Sequence, residues 1–229
     1  MAADAYPHRD FIQANTELVA PPGCPEIRLH LATAITPIWL ASETEMHLQN
    51  LPPPYWAFAW AGGQGLARHI LDSPWIVRGR RVLDFAAGSG IAGIAAALAG
   101  AASVEASDLD LVAAEAIELN AEANGVAISV RRDDVTEVIS GNWEVVLAGD
   151  VCYEAAMTER CFPWLQRLAA EGAMVLLADP GRAYLPSSGL IRLAEYAIAT
   201  SREIEDRDVR ETVIYRVDGG RGDGSISPG

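Results

Sequence analysis

The sequence predicts an α/β fold, a mostly parallel sheet with helices on both faces. Two observations predict it. RVLDFAA, a glycine-rich turn and IAGIAAALAG follow one another over residues 81–100, an order typical of a strand, a loop and a helix of small residues. Further along, short apolar runs that end in aspartate alternate with helical segments. Strands separated by helices are joined by right-handed crossovers, so neighbouring strands run parallel and the sheet is covered on both faces.

Five strands of this sheet are each expected to end at an aspartate. The carboxyl ends of parallel strands meet at one edge of a sheet, and ligands of such folds bind there. Most of these carboxylates should therefore line one crevice. The aspartates are Asp84, Asp108, Asp134, Asp150 and Asp179.

Residues 1–78 are predicted to form an N-terminal cap packed on a core of residues 79–218. Strand and helix patterns do not alternate clearly in the cap, and clustered prolines interrupt it. Within it, residues 45–51 are predicted to form a short helix. Residues 55–71 begin with large aromatic side chains and end with helical spacing.

The end of the chain is predicted to close the sheet. Residues 202–217 are expected to form two short strands joined by a charged turn around Arg207 and Asp208. Such a pair would be an antiparallel hairpin at the sheet edge. Residues 219–229 are rich in glycine and poor in apolar side chains, so we expect this tail to be disordered.

The composition limits the classes of partner. The chain has 229 residues, and its 17 basic and 31 acidic side chains give a net charge of −14. An acidic surface repels phosphate backbones, which argues against a nucleic-acid binder and favours a basic partner. Every basic residue is arginine, and lysine is absent. Three cysteines without paired spacing argue against a disulfide framework or a metal site. No secretion signal or membrane span is recognised, so a cytoplasmic protein is expected.

A glycine-rich motif follows the first strand. Gly88, Gly90 and Gly93 form a literal GxGxxG, and Asp108 lies eighteen residues after Gly90. Taken alone, this pattern would suit a dinucleotide, because Asp108 can accept hydrogen bonds from both ribose hydroxyls. Asp84 favours a different ligand: a carboxylate beside the loop repels a pyrophosphate but attracts an ammonium. S-adenosylmethionine carries an ammonium, a sulfonium and a ribose without phosphate, and Asp134 could add a contact to its adenine amino group.

The pattern resembles the seven-strand class I methyltransferases, whose Rossmann-like sheet includes an antiparallel strand near the C-terminus. The resemblance covers about residues 55–217. PYWAFAWAGGQGLARHIL at 54–71 and WEVVLAGDVCYE at 143–154 are similar to protein lysine methyltransferases marked by an acid-x-x-Tyr motif after the fourth strand. Within that group, the chain is most similar to the electron transfer flavoprotein β-subunit lysine methyltransferases.

The resemblance implies a set of cofactor contacts. Trp60 would flank S-adenosylmethionine, Gly88, Ser89 and Gly90 would form its loop, and Gly149 would approach it. Asp134, which is expected to contact the adenine amino group, departs from the family pattern, because relatives often carry tryptophan near this position.

The acid-x-x-Tyr motif predicts the reactive end. Other class I enzymes place two prolines and an aromatic residue after an acid or asparagine here, and those bind planar amides or bases; Val151 and Cys152 replace both prolines. This favours an aliphatic amine. A lysine with a pKa of about 10.4 must lose a proton, which costs on the order of 4.6 kcal/mol at pH 7. We expect Asp150 to accept a hydrogen bond from the amine and Tyr153 to wall it, both acting as positioners. A helix N-cap is the alternative role for Asp150, and plain packing for Tyr153.

The leading hypothesis is a protein lysine methyltransferase, and the resemblance implies the β-subunit of electron transfer flavoprotein as substrate. A ribosomal stalk protein is a second candidate target. Three alternatives remain open: a small-molecule amine methyltransferase, a non-catalytic partner that binds the cofactor for stability, and a dinucleotide oxidoreductase. An open acidic groove would favour a protein substrate over a small amine.

Overall fold

The computed structural model describes residues 7–32, 38, 53–138, 141–200 and 202–220. The predicted helix at 45–51 and most of the predicted tail lie outside these residues. The helices of the described part are α1 (Pro7–Asn15), α2 (Ala61–Asp72), α3 (Ile91–Leu98), α4 (Leu111–Ala123), α5 (Ala155–Glu171) and α6 (Arg202–Glu205). The strands are β1 (Glu17–Val19), β2 (Leu29–Leu31), β3 (Arg81–Phe85), β4 (Ser103–Ser107), β5 (Ser129–Arg131), β6 (Val145–Gly149), β7 (Met174–Asp179), β8 (Leu190–Ala199) and β9 (Val209–Val217).

Seven strands form one sheet in the order β5-β4-β3-β6-β7-β9-β8. The first five strands in this order are parallel to one another, whereas β9 runs antiparallel to both β7 and β8. The α/β class and the seven-strand sheet with an antiparallel strand near the C-terminus are therefore confirmed. The chain order reverses between β4 and β6, on either side of β3, which is where ligands of open α/β sheets bind.

The central strands are apolar because they are covered on both faces. Residues 145–148 of β6 and 175–179 of β7 are all buried, as expected for interior parallel strands. Helices α2 and α3 cover one face, and α5 covers the other. The five predicted aspartates do lie at the carboxyl ends of β3 to β7.

Helix α2 lies within the predicted cap but packs directly on the sheet. Its buried small residues include Gly62, Gly65 and Ala67, and they let its backbone approach the strands closely. A Cβ on Gly65 would lie 2.7 Å from Thr212 Cγ2 on β9. The N-terminal residues Ile27 and Leu29 are buried in the same hydrophobic cluster as α2.

The prediction for the C-terminal hairpin was wrong in its first strand. The antiparallel pair exists, but its strands are β8 and β9, and residues 202–205 form the short helix α6. The sequence LIRLAEYAIA of β8 contains several residues that favour helices and shows no strict alternation. Its pairing with β9 and the burial of Ile198 decide the outcome, because tertiary packing overrides local propensity in strands.

No helix among the described residues is both long and apolar enough to cross a bilayer.

Candidate active site

The glycine loop between β3 and α3 turns through left-handed backbone. Ala86, Gly88 and Gly90 have φ values of 52°, 53° and 77°, a region that glycine adopts without steric cost. Ala86 is a non-glycine residue in this region, and such strain clusters at functional sites. The loop therefore takes a conformation that the glycines make possible, next to the carboxyl end of β3.

Asp84 is buried beneath this loop and holds it to α3. The side chain is 3% exposed, and its Oδ2 accepts a hydrogen bond of 2.7 Å from the Gly93 amide. A Cβ on Gly93 would lie 3.0 Å from that oxygen, which explains the third glycine of the motif. Burial raises the pKa of Asp84 to about 7.

Asp108 follows β4 and faces the loop from the neighbouring strand. Its Oδ2 accepts a hydrogen bond from the Gly88 amide at 2.8 Å, and its Oδ1 accepts one from the Asp110 amide at 3.0 Å. Burial raises its pKa. Its two oxygens offer about four acceptor positions, and the amides of Gly88, Asp110 and Leu109 occupy up to three of them, so acceptor capacity remains for a ribose hydroxyl.

Asp134 lies beyond β5 and is already engaged. Its Oδ1 accepts hydrogen bonds from the amide and hydroxyl of Thr136, and its Oδ2 pairs with Arg160. Ser89 is buried at 4% exposure, and its carbonyl oxygen accepts a hydrogen bond from Asn120. Asp134 is therefore held by Thr136 and Arg160, and the Ser89 backbone by Asn120.

Gly149 ends β6 where the backbone of α2 approaches it. A Cβ at this position would lie 3.0 Å from the Gly63 nitrogen and 3.1 Å from its Cα. The requirement for glycine here is thus explained by contact with α2.

Asp150 follows Gly149 in a left-handed conformation, with a φ of 56°. Its Oδ2 accepts a hydrogen bond from the Gly63 amide at 3.1 Å, and its Oδ1 accepts two from Arg182, at 3.0 Å and 2.6 Å. Burial raises its pKa to about 6, although Arg182 opposes the shift. The α5 N-cap is Glu154, so Asp150 does not take the alternative N-cap role for that helix.

Three aromatic side chains form a rim, defined here as Tyr55, Trp60 and Tyr153, which meets Arg182 at the Trp60 ring. Tyr55 lies 5.7 Å from Tyr153 and 6.0 Å from Trp60 between ring centroids. Tyr55 and Tyr153 are 42% and 41% exposed. Trp56, in contrast, is buried against α4 in a separate hydrophobic cluster. The rim therefore presents the ring surfaces of Tyr55 and Tyr153 to solvent.

Sequence reasoning did not single out Arg182 and Glu205. Arg182 follows Asp179 and the turn after β7, and Glu205 ends α6. Arg182 donates to both Glu205 oxygens at 2.9 Å and 3.0 Å, and its Cζ lies 5.7 Å from the centroid of the Trp60 ring. The sequence DPGR directly after an apolar strand could have indicated Arg182, because residues that follow parallel strands lie at the edge of the sheet where ligands bind.

Cys152 is buried and does not act as a nucleophile. Burial raises its pKa to about 12, so the thiolate is scarce at neutral pH. The three cysteines Cys24, Cys152 and Cys161 are buried and free.

The contact between α2 and Asp150 predicts unequal effects for two adjacent glycines. A Cβ on Gly62 would lie 2.7 Å from Asp150 Cγ and 2.8 Å from the Ala178 carbonyl oxygen, whereas a Cβ on Gly63 meets the Ile91 side chain at 3.1 Å. We expect Gly62→Ala to lower the free energy of unfolding by about 1–3 kcal/mol relative to Gly63→Ala, the control with the same gain in helix propensity. Urea denaturation measures this difference, and equal stability of both variants would contradict the packing described.

The burial of Asp84 predicts a pH-dependent stability. Because its folded-state pKa is raised to about 7, the folded protein keeps a proton between about pH 4 and 7 that the unfolded chain releases. The Asp84 contribution to the free energy of unfolding therefore decreases as pH rises through this window, by on the order of a few kcal/mol. Asp84→Asn should make the measured slope smaller by this contribution when urea denaturation is compared at pH 5 and pH 8, while the contribution of Asp150, whose pKa is also raised, stays. The exposed Asp133→Asn is the control, and an unchanged slope in Asp84→Asn would refute the assignment.

Comparison with known proteins identifies relatives of this chain. The pattern of the ribosomal protein L11 methyltransferase (PrmA) family matches residues 69–152. Electron transfer flavoprotein β-subunit lysine methyltransferases from Xenopus laevis and Homo sapiens are 38% and 31% identical to this chain, each over 90% of it and over 85% and 80% of their own length.

Solved structures share the fold. The protein PH1948 from Pyrococcus horikoshii, described as a candidate RNA methyltransferase, aligns with a TM-score of 0.51 at 18% identity, covering 77% of this chain and 94% of its own. Protein 1320 of Thermoplasma acidophilum aligns with a TM-score of 0.50 at 23% identity, covering 79% and 97%. At these identities the likeness concerns the fold alone. The relatives show the family: the chain belongs to the electron transfer flavoprotein β-subunit lysine methyltransferases, enzymes of the class I S-adenosylmethionine-dependent fold.

Proposed function

We propose that this methyltransferase transfers a methyl group to a lysine on the β-subunit of electron transfer flavoprotein, and that the crevice described above is its active site. The observation that carries the proposal is the Asp150 carboxylate, 11% exposed at its side chain, which Arg182 links to Trp60 and so to the exposed rings of Tyr55 and Tyr153. A carboxylate attracts an amine, and aromatic faces favour a cationic group. The substrate is inferred from the relatives, which are named electron transfer flavoprotein β-subunit lysine methyltransferases.

The cofactor fits the residues around the glycine loop. When bound, S-adenosylmethionine supplies an electrophilic methyl group on a positively charged sulfur. Asp108 would accept a hydrogen bond from the ribose diol with its remaining acceptor capacity, while its present bonds to the Gly88 and Asp110 amides hold it in place. Gly88, Ser89 and Gly90 would form the wall of the cofactor site.

The other predicted cofactor contacts stay predictions, and the structure gives each a second role. Asp84 would attract the ammonium of the cofactor, although its Oδ2 is bound to Gly93. Asp134 would reach the adenine amino group while paired with Arg160. Trp60 would flank the cofactor, and Gly149 would approach it from β6.

Asp150 and Tyr153 would position the lysine. The carboxylate of Asp150 would accept a hydrogen bond from the amine, and the rings of Tyr153 and Tyr55 would enclose the aliphatic stem. The amine must be neutral to attack, and a positively charged sulfur close by lowers its pKa, whereas Asp150 alone would raise it. We therefore assign Asp150 the orientation of the amine, with the proton lost to water.

The test compares substrates. The enzyme is incubated with labelled S-adenosylmethionine and, separately, the purified electron transfer flavoprotein β-subunit, ribosomal protein L11, free lysine and n-butylamine. We expect incorporation into the flavoprotein subunit at a rate well above that into the small amines. Faster methylation of the free amines would support a small-molecule enzyme instead.

A ribosomal protein is the second candidate substrate, and a specific observation favours it. The L11 methyltransferase of Bacillus pumilus is 42% identical over 87 residues, although these cover 26% of its length. Preferential labelling of L11 in the same assay would make it the substrate. The cytoplasmic location stays a prediction, which cell fractionation tests.

A further inference from the structure

The strongest unassigned feature is a buried network of charges behind the reactive carboxylate. It consists of Asp150, Asp179, Arg182, Glu205 and Arg210. Arg182 is 18% exposed and Glu205 is 1% exposed at their side chains. The described groups that face Asp150 are Arg182, Glu205, Asp179 and the amide of Gly63 at the start of α2. Three carboxylates and two guanidinium groups thus meet in one partly buried network.

Arg182 is the cation that contacts the Asp150 carboxylate. Its Nε and Nη2 both donate to Asp150 Oδ1, and its Nη1 and Nη2 donate to the two oxygens of Glu205. A planar guanidinium can make both sets of bonds at once, and this fixes its orientation. The backbone amide of Arg182 also donates to Asp179 Oδ1 at 2.7 Å. Arg182 is therefore held through its backbone amide and by Glu205, and its guanidinium in turn holds Asp150.

Glu205 is anchored independently of Arg182. Its Oε1 accepts a hydrogen bond from the Ala61 amide at the start of α2, and its Oε2 lies 3.4 Å from Arg210 Nε on β9. Helix α2 therefore contacts Asp150 through Gly63 and Glu205 through Ala61. Because α2, α6 and the loop after β7 all meet at this network, the position of Arg182 depends on the fold and not on a flexible surface pair.

We propose that Arg182, anchored by Glu205, is a positioning residue that keeps the Asp150 carboxylate ionised and oriented toward the substrate amine. This inference rests on the proposed function. Without the guanidinium, Asp150 would be buried near two other carboxylates, and both burial and like charge favour its protonated form. A protonated Asp150 has lost the charge that attracts the lysine, so activity would then require a higher pH.

The test compares Arg182→Gln with Arg182→Lys and with Arg210→Gln. Arg210→Gln is the matched control, because Arg210 lies beside Glu205 and has no contact with Asp150 among those described. We measure kcat and KM for the lysine substrate from pH 5.5 to 9.5, together with melting temperature and cofactor affinity.

We expect Arg182→Gln to lower kcat/KM at pH 7 by about 100-fold and to move the acidic limb of its pH profile upward by about one unit or more. Arg182→Lys keeps the charge and should recover to within about tenfold of the wild-type value. Arg210→Gln removes a charge that contacts Glu205 and not Asp150, so its acidic limb should move much less than that of Arg182→Gln. If the acidic limb of the pH profile does not move in Arg182→Gln, the role of Arg182 is only structural. A lower KM with unchanged kcat would show that Arg182 competes with the substrate, and it would also overturn the proposal.

A second measurement separates this inference from the proposed function. The carboxyl of Asp150 is titrated by ¹³C nuclear magnetic resonance in protein labelled at aspartate, with Asp150→Asn to assign the signal. Its pKa should be higher in Arg182→Gln than in wild type or Arg210→Gln, whatever substrate the enzyme uses. Equal pKa values would refute the role of Arg182 even if the flavoprotein subunit is methylated. A raised pKa without methylation of that subunit would leave only the substrate assignment wrong.

Discussion

Asp150→Asn is expected to lower kcat by about 100-fold to 1,000-fold while the affinity for S-adenosylmethionine changes by less than about twofold. The carboxylate lies at the end of β6 and is bound by Arg182 and Gly63. Asparagine keeps the shape but removes the charge, and its amide group must face one of these donors. The lysine amine therefore loses its acceptor, whereas the ribose site at Asp108 is untouched.

Two controls accompany this variant. Glu154→Gln removes one exposed negative charge from the same loop and should keep kcat near the wild-type value. The melting temperature of Asp150→Asn shows whether the unsatisfied amide has weakened the fold.

For the wild type, the pKa of about 6 for Asp150 predicts that kcat/KM falls as pH drops through about 6, because the ionised form is required. Wild-type turnover in Asp150→Asn would remove Asp150 from the mechanism.

Asp108→Ala is expected to weaken binding of S-adenosylmethionine by about 1.5–3 kcal/mol, or about 10-fold to 150-fold in Kd. The variant loses the acceptor proposed for the ribose diol, and it also frees the Gly88 amide that Asp108 now binds. Isothermal titration calorimetry measures the change directly.

The matched control is Asp110→Ala, two residues away. Asp110 is the N-cap of α4, and its Oδ1 accepts a hydrogen bond from the Val112 amide. Its loss should cost about 1 kcal/mol of stability but little cofactor affinity. Equal weakening in both variants would mean that the loop conformation, and not the Asp108 carboxylate, governs binding.

The sequence predicted the sheet and the edge that carries the site. Its strongest signals were local: apolar runs ending at Asp84, Asp108 and Asp150, and glycines that require left-handed backbone. The same local signals were insufficient in β8, whose residues favour a helix until β9 pairs with them. Local composition therefore predicted the buried parallel strands better than the edge hairpin.

The network around Asp150 could not be predicted from local patterns. Arg182 lies 32 positions from Asp150 along the chain, and Glu205 lies 23 positions beyond Arg182. Glu205 also falls within residues that were predicted to be a strand. Which charged residues meet in space depends on how β7, α6 and α2 pack, and no spacing in the sequence encodes that packing.

The central claim is that this active site methylates a lysine side chain of a protein. The most direct measurement is incubation of the wild type and Asp150→Asn with labelled S-adenosylmethionine and the electron transfer flavoprotein β-subunit, followed by acid hydrolysis and amino-acid analysis. Because the enzyme contains no lysine, any methyl-lysine recovered comes from the partner. The account predicts labelled methyl-lysine with the wild type and a loss of about 100-fold or more in rate with Asp150→Asn. Label recovered as methyl-arginine or methyl-histidine, or equal labelling by both enzymes, would contradict it.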